Sequence, residues 1–83
     1  MRKTIHTRNS KLVANALREM RERTGLTQRQ FCRQIGRLHS FISKCELGER
    51  RVDLVEWYWL CEACGADPDA ETKKLFAAFA KSN

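Results

Sequence analysis

Four glycines and one proline divide the chain into segments that are long enough only for short helices. Gly25, Gly36, Gly48 and Gly65 stand 11, 12 and 17 residues apart, and the only proline is Pro68. Between these positions the apolar side chains recur with the period of a helix, and no stretch alternates apolar and polar residues over the length of a strand. The 83 residues therefore predict one small all-α domain, a compact fold of five helices.

Capping residues set the expected boundaries of these helices. Asn9 or Ser10 is expected to start helix 1, and Gly25 is expected to end it in the left-handed conformation. Thr27 and Gln30 have the spacing of a capping box at the start of helix 2, and Asp53 and Glu56 have the same spacing at the start of helix 4. The remaining expected boundaries are Gly36 at the end of helix 2, Leu38 and Leu47 for helix 3, Asp53 and Gly65 for helix 4, and Asp67 with Pro68 at the start of helix 5.

Apolar side chains at helical spacing predict the core. The predicted set is Leu12, Val13, Ala16, Leu17 and Met20 in helix 1, Phe31, Cys32 and Ile35 in helix 2, Phe41, Ile42 and Cys45 in helix 3, Leu54, Trp57, Leu60, Cys61 and Cys64 in helix 4, and Thr72, Leu75, Phe76, Phe79 and Ala80 in helix 5. Neighbours on a helix point about 100° apart, so Trp57, Tyr58 and Trp59 cannot all be buried. Either Tyr58 or Trp59 is expected to be partly exposed.

Charge and cysteine content narrow the function classes. Residues 1–51 carry 13 basic and 4 acidic side chains, a net of +9, whereas residues 52–83 carry 3 basic and 6 acidic ones, a net of −3. A basic first half favours a polyanionic partner. No apolar run exceeds six residues and no signal peptide is recognisable, so we expect a cytoplasmic protein without a membrane span and with its four cysteines as free thiols.

Enzyme chemistry and metal binding have little support in the sequence. Cys61 and Cys64 form a CxxC, but they lie on the predicted buried side of helix 4, where cysteine packs as a small apolar residue. His6 and His39 are the only histidines, and no catalytic triad or glycine-rich phosphate loop is recognisable. The sequence therefore predicts no enzyme activity, no metal and no cofactor.

The segment from Thr27 to Gly48 predicts two short helices joined by a tight turn at Gly36. The exposed residues of its second helix, all able to form hydrogen bonds with bases or phosphates, are His39, Ser40, Ser43 and Lys44. Gln28 and Arg29 lie at the start of helix 2, where backbone N–H groups favour a phosphate. This geometry suits entry of helix 3 into a major groove about 12 Å wide. A helical hairpin with solvated polar residues is the alternative.

The same segment and its flanks carry a family resemblance. Its residues are Leu17, Arg21, Gly25, Leu26, Thr27, Gln28, Phe31, Cys32, Ile35, Gly36, Ser40, Ile42, Ser43, Glu46, Gly48, Leu54, Trp57, Leu60 and Gly65. With them, residues 12–66 resemble the Cro/repressor-type helix-turn-helix regulators of phages and bacteria, the xenobiotic-response-element (XRE) family. The resemblance implies a five-helix domain whose third helix reads the major groove, usually as a dimer on a palindromic site.

The resemblance also implies residue roles. Base contacts are expected from His39, Ser40 and Lys44, with Ser43 and, at the margin, Phe41; phosphate contacts are expected from Gln28, Arg29, Arg37, Arg50 and Arg51. Gln28 is also expected to brace the first base-contacting residue, and Arg21 to form a salt bridge with Glu46. Two departures stand out: Leu38 replaces the usual Ser or Thr before helix 3, so that inward packing of Leu38 is an alternative, and Leu47 replaces a common Asn.

Together these observations predict a sequence-specific, double-stranded DNA-binding regulator of bacterial or phage origin, a repressor acting as a homodimer. Three regions are expected: a basic N-terminal arm at 1–9, a helix-turn-helix domain at 10–66 and a dimerisation helix at 67–83. The expected dimer interface consists of Trp59, Leu75, Phe76 and Phe79. The alternative is a protein-interaction module on the same fold, such as an antitoxin, with weak or non-specific DNA binding. A phage repressor, a restriction-modification controller and an antitoxin all remain open.

Overall fold

The computed structural model describes the backbone of residues 3–82 and the side chains of residues 8–81. Within that part of the chain it has five helices and no strand, which confirms the predicted all-α fold. The helices are α1 (Lys3–Thr24), α2 (Gln28–Ile35), α3 (His39–Glu46), α4 (Leu54–Ala63) and α5 (Pro68–Ser82).

The predicted start of helix 1 is wrong. The helix begins at Lys3, so Asn9 and Ser10 lie inside it instead of capping it. Both residue types favour N-caps, but no glycine or proline precedes them, and nothing in that stretch prevents the helix from extending toward the N-terminus. Met1 and Arg2, which begin the expected basic arm, lie outside the described residues.

The capping boxes that start α2 and α4 are confirmed. The Thr27 hydroxyl accepts a hydrogen bond from the Gln30 N–H at 3.1 Å, and the Gln30 side chain accepts one from the Thr27 N–H at 2.9 Å. Asp53 and Glu56 form the same reciprocal pair at the start of α4. Gly36 ends α2 with φ +70°, in the left-handed region that a residue with a side chain rarely adopts.

The start of α3 has no such cap. Leu38 occupies the N-cap position in an extended conformation and forms no side-chain hydrogen bond with the helix. The residue is 79% exposed, so the alternative of inward packing is wrong. The first turn of α3 is therefore held by its packing partners and not by a cap.

One apolar cluster forms the core and draws on all five helices. Its buried members are Leu17, Met20, Phe31, Cys32, Phe41, Ile42, Cys45, Trp57, Leu60, Cys61 and Leu75. Leu54, Phe76 and Ala80, which were predicted to be buried, are exposed. Trp57 of α4 and Leu75 of α5 belong to the buried cluster, whereas Leu54 and Phe76 line an open surface pocket between the two helices. Tyr58 is also exposed, as the three adjacent aromatic residues require, while Trp59 is half-buried.

Polar contacts join helices that are distant in sequence. Arg23 Nη2 of α1 lies 3.0 Å from Glu71 Oε2 of α5, and Trp57 Nε1 of α4 donates a hydrogen bond of 2.7 Å to Thr72 Oγ1 of α5. The first helix packs on α3 and α5, and α2 packs on α3. This arrangement supports α3 from behind and leaves its opposite side in solvent.

The cysteines belong to this packing. Cys32, Cys45 and Cys61 are buried, Cys64 is half-buried, and all four are free thiols. Burial raises the pKa of Cys61 and of Cys64 to about 11. Among the described residues no group of metal-ligating side chains is found, and none of the described helices is long and apolar enough to cross a membrane.

Candidate nucleic-acid interface

The side of α3 that faces away from the core presents a row of polar residues. His39, Ser40 and Lys44 are exposed, and Ser43 is half-buried. They are brought to one side because Phe41, Ile42 and Cys45 turn toward the core with helical spacing. An eight-residue helix with this division offers hydrogen-bond donors and acceptors to a partner that approaches from outside.

Phe41 is not part of that exposed row. The residue is 7% exposed, and two guanidinium groups cover its ring, with Arg37 Cζ at 4.6 Å and Arg50 Cζ at 4.8 Å from the ring centre. The structure thus encloses Phe41 beside the cleft, and its marginal contact with a base stays a prediction. Cation–π contacts at these distances hold the two arginines beside the start of α3.

Glu56 completes this group from the first turn of α4. Arg50 donates to it with both terminal nitrogens, at 3.0 Å and 2.9 Å, and Arg37 Nη2 lies 3.8 Å from Oε2 of the same carboxylate. The hydrogen bonds from Arg50 lower the pKa of Glu56 below its usual value. Arg50 also donates to the backbone carbonyl of Arg51 at 2.9 Å. A phosphate bound at Arg50, as predicted, would therefore compete with Glu56 for the same guanidinium.

Sequence reasoning missed Glu56 as part of the site. Its pattern with Asp53 was recognised only as a helix cap, although the same carboxylate reaches back to the loop that precedes α4. A signal was available: Arg50 stands six residues before Glu56, with the loop and the first helical turn between them. That signal is not specific, because a charged pair at this spacing meets only if the loop folds back.

An open cleft of about 350 Å³ runs along the start of α3. Its lining residues are Gly36, Arg37, Leu38, Ser40, Phe41, Lys44 and Arg50. Three of these side chains are cationic, and Glu56 is the carboxylate that pairs with two of them. A cleft with this excess of positive charge beside a hydrogen-bonding helix face suits an anionic group such as a phosphate.

The Arg21–Glu46 salt bridge fixes the other end of α3. Arg21 Nε and Nη2 lie 2.6 Å and 3.0 Å from the two carboxylate oxygens of Glu46, and Arg21 Nη1 donates to the Leu26 carbonyl at 2.8 Å. The side chains are 11% and 5% exposed. Hydrogen bonding to Glu46 raises the pKa of Arg21 further above its usual value. The pair joins α1 to α3 in the position that the resemblance implies.

Comparisons with known proteins agree with this geometry. The sequence matches a family described as "Helix-turn-helix domain" over residues 12–75. Among solved structures, the chain is similar to an XRE-family like protein from Pseudomonas syringae pv. tomato str. DC3000, with 39% identity over 92% of this chain and 93% of that chain, and a TM-score of 0.81. The chain belongs to the XRE-type helix-turn-helix regulators. No curated protein matches the sequence.

As in other XRE-type proteins, the helix-turn-helix consists of α2 and α3, and DNA binding is the activity of the domain. The family match extends to residue 75, so the first half of α5 is part of it, beyond the 12–66 of the predicted resemblance. Leu75, at its limit, is buried in the core of its own chain.

Gln28 has a different partner from the one the XRE resemblance implies. Its Nε2 donates to Glu46 Oε1 at 2.8 Å, so the amide braces the Arg21–Glu46 pair and not the first residue of α3. The structure does not bring Gln28 to His39, and the contact of Gln28 with a phosphate stays a prediction. Arg29, one residue later, is exposed on the first turn of α2, and Arg51 is exposed in the loop before α4.

The predicted dimer residues of this XRE-type chain occupy different environments. Leu75 is buried within the chain, and Trp59 and Phe79 are half-buried and packed against the core, so these three contribute mainly to the domain itself. Phe76 is exposed and lies with Leu54 and Tyr58 along a groove between α4 and α5. We name these three residues, Leu54, Tyr58 and Phe76, the α4–α5 apolar face.

Proposed function

We propose that this protein is a transcriptional repressor that binds a palindromic double-stranded DNA operator as a homodimer. The observation that carries the proposal is the polar row of His39, Ser40 and Lys44 on α3, directly beside the cleft that Arg37 and Arg50 line. A recognition helix in the major groove places such a row against base edges, while the neighbouring cations meet the phosphates. A dimer seated across a promoter then blocks access to it.

Variants of Lys44 and of Arg51 can distinguish contacts with bases from contacts with the DNA backbone. Lys44 lies in the polar row of α3, whereas Arg51 is an exposed cation of the following loop. Loss of a good base contact costs about 1–3 kcal/mol of discrimination, and loss of a phosphate contact reduces the salt slope by about 1. Lys44→Ala is therefore expected to change the preferred base at one operator position, and Arg51→Ala to weaken binding to all duplexes similarly.

The decisive experiment is a selection from random duplexes at fixed salt with competitor DNA, performed on the wild type and on both variants. A palindromic motif that Lys44→Ala alters at one position per half-site supports the proposal. The same uniform loss for both variants would refute the base-reading role of Lys44. Weak, salt-sensitive binding with no motif would favour the protein-interaction module instead.

Dimer formation follows from the size of the readable site. One recognition helix covers roughly 4–6 base pairs, which is too short to specify a genomic site, and a dimer places two such helices about 34 Å apart. The contact should avoid the basic half of the chain, because two surfaces of net charge +9 repel each other. The α4–α5 apolar face belongs to the half with net charge −3 and exposes Leu54, Tyr58 and Phe76.

Sedimentation equilibrium at micromolar concentration tests the dimer without DNA. The wild type is expected to have twice the 9.7 kDa mass of one chain, and Phe76→Glu is expected to be monomeric because it places a charge in the contact. Leu47→Glu is the matched control, since Leu47 is an exposed leucine outside that face. A wild type of 9.7 kDa would contradict the dimer, and a dimer that survives Phe76→Glu would place the contact elsewhere.

A further inference from the structure

Leu38 is an exposed apolar residue at the position that leads into the recognition helix. It is the N-cap of α3, where Ser, Thr, Asp or Asn normally provides a hydrogen bond to the first turn. Leucine provides no such hydrogen bond, and the residue is 79% exposed. The residue therefore contributes neither a cap nor core packing, and a small polar residue would give the isolated domain a more stable helix start.

The surroundings of Leu38 are polar and basic. It lines the same cleft as Arg37 and Ser40, and the exposed His39 follows it directly. An apolar side chain does not stabilise a phosphate, so Leu38 does not belong to the part of the cleft that would bind one. Of the two ends of a recognition helix, the N-terminal one is the end whose residues contact base edges. Leu38 is thus placed toward the bases and has only apolar contacts to offer.

The major-groove edge of DNA contains one apolar group, the C5-methyl group of thymine. We propose that Leu38 is a specificity-determining residue that packs against a thymine methyl group, next to the base that His39 contacts. This inference rests on the proposed DNA-binding function and adds a reading position to it. Adenine–thymine pairs present this methyl group on one strand only, so the contact also fixes the orientation of the pair.

Replacing single thymines by uracils tests the contact, because uracil lacks only the methyl group and pairs in the same way. In the operator obtained by selection, each thymine is replaced in turn and the dissociation constant is measured by fluorescence anisotropy at fixed salt. For the wild type, one position per half-site is expected to lose about three- to fivefold in affinity, as for the burial of one methyl group. Leu38→Ala is expected to bind the thymine and uracil duplexes equally well at that position.

Two further variants control the interpretation. Leu38→Met keeps an apolar contact and is expected to retain the preference for thymine. Leu47→Ala makes the same truncation at the opposite end of α3 and is expected to leave the thymine-to-uracil ratio unchanged. Circular dichroism and thermal unfolding verify that each variant is folded. We expect them to be folded, because both leucines are exposed and contribute little to the core.

The outcomes distinguish this inference from the function on which it rests. A wild type that selects no motif contradicts the proposed function and the inference together. A wild type that selects a motif but is indifferent to uracil at every thymine overturns the inference alone. A thymine preference that Leu38→Ala retains would also overturn it, because another residue would then make the contact.

Discussion

Replacing Glu46 by alanine should be among the most damaging single changes in this domain. Glu46 accepts three hydrogen bonds, two from Arg21 and one from Gln28, and its side chain is 5% exposed. In Glu46→Ala the guanidinium of Arg21 remains enclosed, with the Leu26 carbonyl as its remaining partner among the contacts described above. Removing one member of a buried ion pair costs roughly 3–5 kcal/mol because the other charge is left uncompensated.

The lower end of that range fits this site, because Arg21 is 11% exposed and gains some hydration when its partner is lost. A cost of about 3 kcal/mol lowers the melting temperature by roughly 12–24 °C in a domain of this size. The whole free energy of unfolding is of the order of 4–12 kcal/mol. Glu46→Ala is therefore expected to be folded at 10 °C and partly unfolded near 37 °C.

Urea unfolding followed by circular dichroism at pH 7 measures this loss. The double variant Arg21→Met/Glu46→Leu is the control, because it removes both charges and fills the space with apolar groups. It is expected to be more stable than Glu46→Ala, and the Gln28 amide loses its acceptor Glu46 in both variants alike. A loss below about 1 kcal/mol in Glu46→Ala, the range of exposed pairs, would refute the reasoning, as would a double variant no more stable than the single one.

Three further outcomes follow from contacts described above. Thr72→Val should lower the free energy of unfolding by about 1–3 kcal/mol in urea titrations, because the Trp57 N–H loses its acceptor, whereas Thr72→Ser should not. Because the pKa of Glu56 is lowered in the folded chain, its ionised carboxylate stabilises the fold above the usual carboxyl pKa, and this contribution is lost as the pH falls through the lowered pKa. Glu56→Gln should therefore make the free energy of unfolding less dependent on pH in the acid range. An unchanged pH dependence would contradict the assignment. With a pKa of about 11, Cys64 is a thiolate in about one molecule in a thousand at pH 8. Mass spectrometry should therefore show slow alkylation of Cys64 by iodoacetamide in the folded protein and fast alkylation after unfolding. Rapid labelling of the folded protein would contradict the burial of Cys64.

Features that depend on neighbours in sequence were accessible before the structure. The capping boxes at Thr27 and Asp53 need only residues three positions apart, and the left-handed Gly36 follows from the helix that it ends. The Arg21–Glu46 pair spans 25 positions and was placed by the family pattern, since no local rule connects the two residues. The helical periods likewise predicted the five helices and most of the core.

Features that depend on how the helices are arranged were not accessible. Periodicity places Leu54 and Phe76 on apolar stripes, but it does not tell how far the neighbouring helix covers the stripe, and both residues are exposed. The ring of Phe41 is enclosed because two arginines from outside α3 converge on it. Gln28 likewise donates to Glu46, a residue 18 positions away on another helix, which no local spacing indicates.

The ion pair between Arg23 and Glu71 has a consequence for how the domain folds and unfolds. It joins the end of the first helix to the first turns of the last helix, 48 positions apart, and the same two helices pack on each other. The contact between the two helices closes a long loop of the chain, and its formation costs the entropy of that closure. Neither terminal helix can detach without opening the core to water, so the five helices behave as one cooperative unit instead of a helix-turn-helix with dispensable flanks.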